Sequence, residues 1–585
     1  MSITLSDEQK AYQKATGKVI LNACPGSGKT TTVAHKLHYL IQKWESEFPS
    51  SSGIACLSFT NVAKNEIAEK FREINGFSLH YPHVISTIDS FINTYVTLPF
   101  AHKIKDIGKR YRIIDDIAYL DRIFQSNWDI RNNFKNHLFK FSPSKIDCTI
   151  NNSYSWDGHD KSTDADFVKY CKAIKKRQVE MGLLKTSDSA FFAYRILKKY
   201  PRIAKYLVSK FPYIIIDEAQ DTSEIQHSIL EILYNKGLKN IDLVGDPYQC
   251  LYQWRDASPE LFLQKFDDKE NWKGIYLTEN RRSTIKIINV FSLFRRSEDN
   301  DIVAVNNMST DLPLHIIKYN SANHADAIAK YERLCRDNGL ASNVILVRGN
   351  TLKNTLLGKE SKYYPWDKSS IAYSLIEARI HLESSEIKEA VKKVRRVVIE
   401  LRSPNISFSD LKEMEQEIEN DKSTNASIFN LIRGLPSFDL SLKEWTNQTQ
   451  KYLQTELDLV KEPDLKIRKK NVSKKGKIIF DKASLDNPVN RYFKKATTDN
   501  NIPISTIHQV KGMTFDSVFL ILSADSKAQN ISLNDFVLEE KMPNEKQRMI
   551  YVALSRPKTL LCVGVDDSVT EDELKERFKG GVTIL

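Results

Sequence analysis

Residues 23–30 have the make-up of a loop that cradles phosphates. Ala23, Cys24, Pro25, Gly26, Ser27, Gly28, Lys29 and Thr30 follow a short apolar run, Gly17-Lys-Val-Ile-Leu-Asn22, and lead into a stretch with helical spacing. Gly26 and Gly28 leave room for backbone N–H groups to reach phosphate oxygens. Lys29 brings a point charge to the β- and γ-phosphates, and the Thr30 hydroxyl suits Mg2+. The first position is Ala23 rather than the Gly of the simplest form of this pattern. A second pair of groups complements the loop. In Ile214-Ile-Ile-Asp217-Glu218 a hydrophobic strand carries two carboxylates to its end. Such an end is by itself a common solvated terminus. Downstream of a phosphate loop it reads as a hydrolytic centre. Asp217 would hold the metal, directly or through water, and Glu218 would polarise the attacking water as general base. The expected nucleotide and ion are ATP and Mg2+.

These groups need a sheet to hold them. Apolar runs at 53–59, 213–216 and 241–244 alternate with helical stretches such as 61–71, which predicts a mostly parallel α/β sheet. A second α/β unit begins near Ile275, includes Val344–Val347 and resumes at Ile504. Two segments break the rhythm. Residues 101–204 are rich in Lys, Arg, Asn and aromatics and read as a helical insertion. Residues 355–494 hold a charged helical stretch from Ile387 to Arg396 and a basic run at 466–477, which reads as either a solvated loop or a duplex contact.

The chain of 585 residues carries a net charge of +12, a balance that favours a polyanionic partner because each neutralised phosphate releases a counterion. No run of about 18 apolar residues is present, so no membrane span is expected. The polar, acidic start lacks the features of a secretory signal. Seven dispersed cysteines, none in a C-x-x-C pair, suggest reduced thiols, no structural zinc and a cytoplasmic setting.

Further segments follow in order. Leu5-Ser-Asp-Glu-Gln9 precedes the loop and Ser58-Phe59-Thr-Asn61 follows the second strand. Gly245-Asp-Pro-Tyr-Gln249 runs into Leu251-Tyr252-Gln-Trp254-Arg255. Leu277-Thr-Glu-Asn-Arg281-Arg282-Ser283, Ile504-Ser-Thr506-Ile-His508-Gln-Val-Lys-Gly512 and Gln547-Arg548-Met-Ile-Tyr-Val-Ala-Leu-Ser-Arg556 complete the series. This series resembles the UvrD/Rep/PcrA branch of superfamily 1 DNA helicases over 1–100, 205–350 and 495–570. The resemblance implies an α/β protein with two RecA-like P-loop motor domains built on parallel sheets, each carrying a mainly helical insertion. The first would comprise residues 1–100 and 205–270, with insertion 1B at 101–204. The second would comprise 271–354 and 495–585, with a 2B-like insertion at 355–494 that regulates or binds partners or duplex. The implied activity is DNA-stimulated ATP hydrolysis driving 3′→5′ movement on single-stranded DNA and separation of tailed duplexes.

The resemblance also implies roles. Gln9 would read the adenine edge. Gln249 would sense the γ-phosphate and couple hydrolysis to motion. Arg282 and Arg556 would reach across from the second domain as arginine fingers, neutralising charge on the transferring phosphoryl group. Phe59, Tyr252 and Trp254 would be stacking platforms for bases, with Asn61, Arg255, Thr506 and His508 touching phosphates and sugars. Core packing is the competing reading for the aromatics and for His508. Trp254→Ala is expected to weaken single-strand binding by about 1–3 kcal/mol, measured by titration with an oligonucleotide. Four positions depart from the family pattern: Arg281 stands where a Tyr stacks on adenine, Thr31 where an Arg contacts the base, Asp89 where a His meets phosphate, and Thr514 where a Glu contacts ribose. No C-terminal nuclease domain is expected. The short second insertion and altered base contacts also resemble helicase-like subunits of phage-defence systems such as Gabija. That likeness implies an alternative: an ATP-gated sensor of DNA ends or nucleotides that controls a partner nuclease.

Overall fold

The computed structural model describes residues 4–585 other than 115–116, 162, 252–256, 306–311, 321–322, 358–364, 367–369, 384–385, 404–407, 466, 468–484, 494–501, 525–529, 538–541 and 579–580. The chain forms two compact units, one of Met1–Arg348 with Ser505–Leu585 and one of Gly349–Ile504.

Within the first unit lie two six-stranded sheets. In the first, strand Lys18–Ala23 lies between Lys273–Leu277 and Asn240–Gly245, and beyond the latter come Tyr213–Asp217, Ile54–Ser58 and Val84–Thr87. All of these pairings are parallel. Tyr213–Asp217 is buried along its whole length, as a parallel strand covered on both faces must be. Its alternation is plain: Ile214 and Ile216 enter one core and Tyr213 and Ile215 the opposite one. The register aligns the carboxyl ends, pairing Asn22 with Gly245, Val244 with Asp217 and Ser58 with Thr87. Loops that carry function gather at this edge of open parallel sheets. A fully buried ion pair, Lys36 to Asp242 at 2.6 Å, ties the helix after the phosphate loop to a central strand. The hydroxyls of Tyr12 and Tyr213 also donate to Asp242, at 2.9 and 3.2 Å.

The second sheet runs Ile504–Thr506, Asn343–Val347, Phe515–Ile521, Pro557–Asp566, Leu314–Tyr319, Val582–Ile584 in space. Its core includes Ile287, Ile288 and Phe291 of the helix Ile285–Ser292 and the buried residues of Glu545–Leu554. Strand Lys273–Leu277 pairs with Lys18–Ala23 in the first sheet, so that sheet reaches past residue 270, where the sequence division ended it. The error has a simple cause: Lys273–Leu277 is a short, partly exposed edge strand, and its sequence carries no mark of which sheet it joins.

Residues 101–204 contain the helices Ile117–Ser126, Trp128–Asn133, Lys135–Lys140, Ala165–Glu180 and Thr186–Lys199. They also hold short strands: Arg112–Ile114 beside Leu183–Lys185, and a three-stranded antiparallel sheet of Ile146–Cys148, Tyr154–Trp156 and His159–Asp160. Runs of two or three residues are too short for alternation to register. The unit Gly349–Ile504 is helical around a core that includes Trp366 and Trp445, whose rings meet edge to face at 5.3 Å. The basic run at 466–477 lies outside the described residues, Ile467 apart. All seven cysteines are free. Among the described residues no helix is long and apolar enough to cross a membrane.

His227, on the helix Glu224–Tyr234, offers a pH test of this core. It is buried and neither ring nitrogen has a partner. Burial, with Lys265 nearby, pulls its pKa down to about 3. The unfolded chain takes up this proton near the ordinary histidine value of about 6.5. Between the two values the unfolded state binds more protons, so stability rises with pH and is lost on acidification. The expected slope is up to about 1.4 kcal/mol per pH unit. His227→Leu should flatten it, as read by urea unfolding across the same window.

Candidate active site

The strand Lys18–Ala23 ends in a turn through Gly26 and Gly28, whose φ angles are +73° and +75°. Both lie in the left-handed region where a side chain is strained. The turn leads into the helix Lys29–Glu47, whose N-terminus receives no side-chain cap. An uncapped N-terminus beyond a glycine turn offers free N–H groups and the positive end of the helix dipole to an anion. Ala23, Cys24, Pro25 and Ser27 are buried in the loop, Lys29, Thr30 and Thr31 half-buried, and the Ser27 hydroxyl has no partner.

Opposite stands the end of strand Tyr213–Asp217. Lys29 Nζ lies 2.5 Å from Glu218 Oε1 and 3.8 Å from Asp217 Oδ1. Burial pushes the Asp217 carboxyl up to about 7, with Lys29 pulling the other way. Burial also presses on Glu218, but the Lys29 and Lys511 ammoniums outweigh it and hold this carboxyl below its ordinary value. Asp217 Oδ1 is buried and accepts no hydrogen bond, which leaves an oxygen for a hard cation. Among the described residues no group of three or more His, Cys, Asp or Glu could hold a metal. An ion here would complete its shell with water or phosphate oxygens, as Mg2+ commonly does.

Glu218 itself sits at φ +55°, an uncommon conformation for a residue with a side chain. The turn lets Gln220 Nε2 reach Glu218 while Gln220 Oε1 accepts the Asp246 N–H at 3.2 Å. Lys511, from the segment after the strand Ile504–Thr506, pairs with the buried Asp221 at 2.5 Å. A polar chain thus runs from Lys29 through Glu218, Gln220 and Asp221 to the second sheet.

The second sheet also reaches the loop through residues 278–284. Glu8 grips Thr278 by its N–H and hydroxyl, both at 2.7 Å. Asn280, fully buried, donates to Pro25 O at 2.6 Å and accepts the N–H groups of Arg282 and Ser283 at 2.8 and 2.7 Å. The Arg281 N–H donates to Gly26 O at 3.0 Å. A Cβ on Gly26 would come within 2.6 Å of Arg282 Cβ, so only glycine fits. Arg282 then donates to Ser555 O at 3.0 Å and the Ser283 hydroxyl to Pro557 O at 2.7 Å.

Arg556 is buried and donates to Gln249 Oε1 at 2.9 Å, while Gln249 Nε2 donates to Asp246 at 2.8 Å. Burial and the neighbouring Arg282 charge push Arg556 down to about 9. Among the described residues neither arginine forms an ion pair. Arg548 Nε donates to Cys250 O at 2.9 Å and the Tyr551 hydroxyl to Asp246 at 3.1 Å, so the helix Glu545–Leu554 is bolted to the end of the strand Asn240–Gly245.

Gln9 sits beside the loop with its amide already engaged. Its Nε2 donates to Ser27 O and the Thr32 hydroxyl at 3.1 and 3.0 Å, and its Oε1 accepts the Ser6 N–H at 3.0 Å. Arg281 pairs with Glu279 at 2.5 Å at the surface.

Of the candidate strand contacts, Phe59 is half-buried and Asn61 exposed, at the carboxyl end of Ile54–Ser58. Thr506 caps the turn Ile507–Val510. His508 is half-buried, and burial followed by the Arg348 charge lowers its pKa, so it is neutral near pH 7 and suited to a hydrogen bond rather than an ion pair. Asp89 accepts from Gln226 at 3.0 Å. Tyr252, Trp254 and Arg255 lie outside the described residues. Sequence reasoning passed over Asn280, Lys511, Asp221 and Arg548. Asn280, Lys511 and Arg548 stand inside the quoted motifs and Asp221 three residues after Glu218, and that position was the available signal.

Sequence models of the UvrD/REP helicase N-terminal domain and the UvrD-like helicase C-terminal domain match residues 5–270 and 373–567. The chain is 23% identical to the ATP-dependent DNA helicase PcrA of Staphylococcus epidermidis, over 95% of this chain and 82% of that protein. It is 25% identical to the Gabija protein GajB of Bacillus cereus (strain VD045), over 97% of this chain and 96% of the relative. A probable DNA helicase II homolog of Mycoplasma capricolum is 27% identical over 50% of this chain and 40% of its own. Two parallel sheets meeting at one phosphate loop, together with these matches, mean that the chain belongs to the UvrD-like helicase family.

Proposed function

We propose that the chain is an ATP-dependent helicase and translocase that moves 3′→5′ on single-stranded DNA and separates tailed duplexes. The observation that carries this reading is the pair Arg282 and Arg556, one guanidinium half-buried and one buried, that close on the phosphate loop and, among the described residues, form no ion pair with a carboxylate. Burial and the Arg282 charge outweigh the pull of Asp246 and Glu218 on Arg556, and two such cations together at this loop call for a polyanion. In this reading the outer phosphates take over Lys29, which frees Glu218 to accept a proton from the attacking water. Asp217 and Thr30 would hold Mg2+, which would supply neutralisation of phosphate charge. Arg282 and Arg556 take up the charge that builds on the transferring phosphoryl group. Gln249, between Asp246 and Arg556, passes the loss of that group to the second sheet. Gln9, Thr31 and Arg281 border the base. Phe59 and Asn61, the segment of Tyr252, Trp254 and Arg255, and then Thr506 and His508 receive the DNA strand.

The test is steady-state ATP hydrolysis with and without single-stranded DNA, followed by unwinding of duplexes with 3′ or 5′ tails. Severalfold stimulation and a 3′-tail requirement are expected. Hydrolysis indifferent to DNA would move the assignment to a second reading, an ATP-gated DNA-end or nucleotide sensor acting on a partner nuclease in antiviral defence. The nearly full-length match to GajB favours that alternative.

A further inference from the structure

Between residues 101 and 204 the chain holds 21 Lys and Arg against 12 Asp and Glu, a surplus of nine out of the net +12 of the whole protein. The two short helices Trp128–Asn133 and Lys135–Lys140 concentrate an unusual surface there. Trp128 is 73% exposed and Phe139 87% exposed. They are the only large hydrophobic side chains left exposed among the described residues of this segment. Around them stand exposed Arg131, Asn132, Asn133, Lys135, Asn136 and Lys140. Among the described residues, Arg131, Lys135 and Lys140 form no ion pair.

The exposure is not loose packing. The inner side of the same helices is anchored by aromatics: Phe134 against Tyr170 at 5.7 Å, and Phe141 against Phe167 at 4.9 Å and Trp156 at 5.3 Å. The Tyr170 hydroxyl donates to Phe141 O at 2.7 Å. Asn127 caps the first helix through the Ile130 N–H at 3.0 Å. The backbone that carries Trp128 and Phe139 is therefore held, while their rings remain uncovered. Interfaces between folded proteins are also rich in Trp, Phe and Arg but depleted of Lys at their core, whereas Lys135 and Lys140 stand exposed on the same helix as Phe139. Here the exposed apolar groups are aromatic only, set among carboxamides and cations that form no ion pair among the described residues, which is the composition of a stacking surface for bases with phosphates alongside.

We infer that helices Trp128–Asn133 and Lys135–Lys140 form an auxiliary platform for single-stranded nucleic acid, outside the motor motifs. Bases stack on Trp128 and Phe139, and Arg131, Lys135 and Lys140 neutralise the backbone. This inference rests on the reading that the chain binds single-stranded DNA, and the experiment separates the two. A fluorescently labelled oligo-dT of about 30 nucleotides, long enough to pass beyond one typical binding groove, is titrated with the full chain. The comparison is with Trp128→Ala/Phe139→Ala and, separately, Arg131→Glu/Lys135→Glu. Both pairs are exposed, so melting temperatures should match the wild type. The aromatic variant is expected to bind about ten- to a hundredfold more weakly. The charge variant should lower the slope of log affinity on log salt by about 1.4, the value for two single-strand phosphate contacts. Wild-type binding that both variants retain within about twofold, against the tenfold or more expected of lost stacking, overturns the platform alone and leaves an acidic protein as the occupant of this face. Failure of the wild type to bind the oligonucleotide overturns the platform and the helicase reading together.

Discussion

Replacing Lys29 with Ala is expected to lower kcat for ATP hydrolysis by about a thousandfold or more, the scale of losing a preorganised charge at a phosphoryl-transfer centre. The ammonium does two things in this geometry. Without nucleotide it is the counter-charge 2.5 Å from Glu218, and in the proposed reading it passes to the outer phosphates when nucleotide binds. Its loss also leaves Asp217 and Glu218 as adjacent carboxyls without their nearest cation, so Glu218 should titrate higher in the variant. Lys29→Arg should not restore turnover, because a planar fork cannot occupy the place of a compact point charge. Stopped-assay phosphate release at saturating ATP reads the effect. Turnover in Lys29→Ala within tenfold of wild type would remove the loop from the chemistry.

Arg556→Ala is expected to reduce kcat by about 10³–10⁵-fold, the range for an arginine finger, while nucleotide affinity changes far less. The structure adds a second, opposite expectation for stability. Burial and Arg282 push the Arg556 pKa down, so its charge opposes folding. The variant should melt no more than a few degrees below wild type despite losing a large buried side chain. Arg556→Lys should be nearly as inactive, because it cannot bond Gln249 and the Val552 carbonyl together as Arg556 does. Turnover near the wild-type level with intact binding would argue that Arg556 only holds Gln249 in place.

The phosphate loop and the Asp217–Glu218 pair were legible in the sequence because their chemistry demands particular residue types at consecutive positions. The parallel sheets were legible because a run such as Tyr213–Ile216 is apolar throughout. What escaped depends on partners far away in the chain. Asn280 reaches Pro25 across 255 positions and Lys511 reaches Asp221 across 290, and neither spacing leaves a periodic trace. The strand Lys273–Leu277 was given to the wrong sheet for the same reason. Gln9 was read as a contact for adenine, and the geometry adds a second duty: both of its amide donors brace the loop, so a base must compete with Ser27 and Thr32 for them.

Residues 278–284 form a short strap. They leave the last strand of the first sheet, clasp Glu8, Pro25 and Gly26, and within a few residues start a helix that belongs to the second core. Covalent continuity therefore runs alongside the contacts to the phosphate loop rather than apart from them. A displacement of the second sheet pulls on the phosphate loop through the backbone itself, as a tendon pulls on its insertion. A chain wired this way does not divide into two independently expressed halves: a cut within 278–284 frees the loop from its tether even if both halves fold and reassociate.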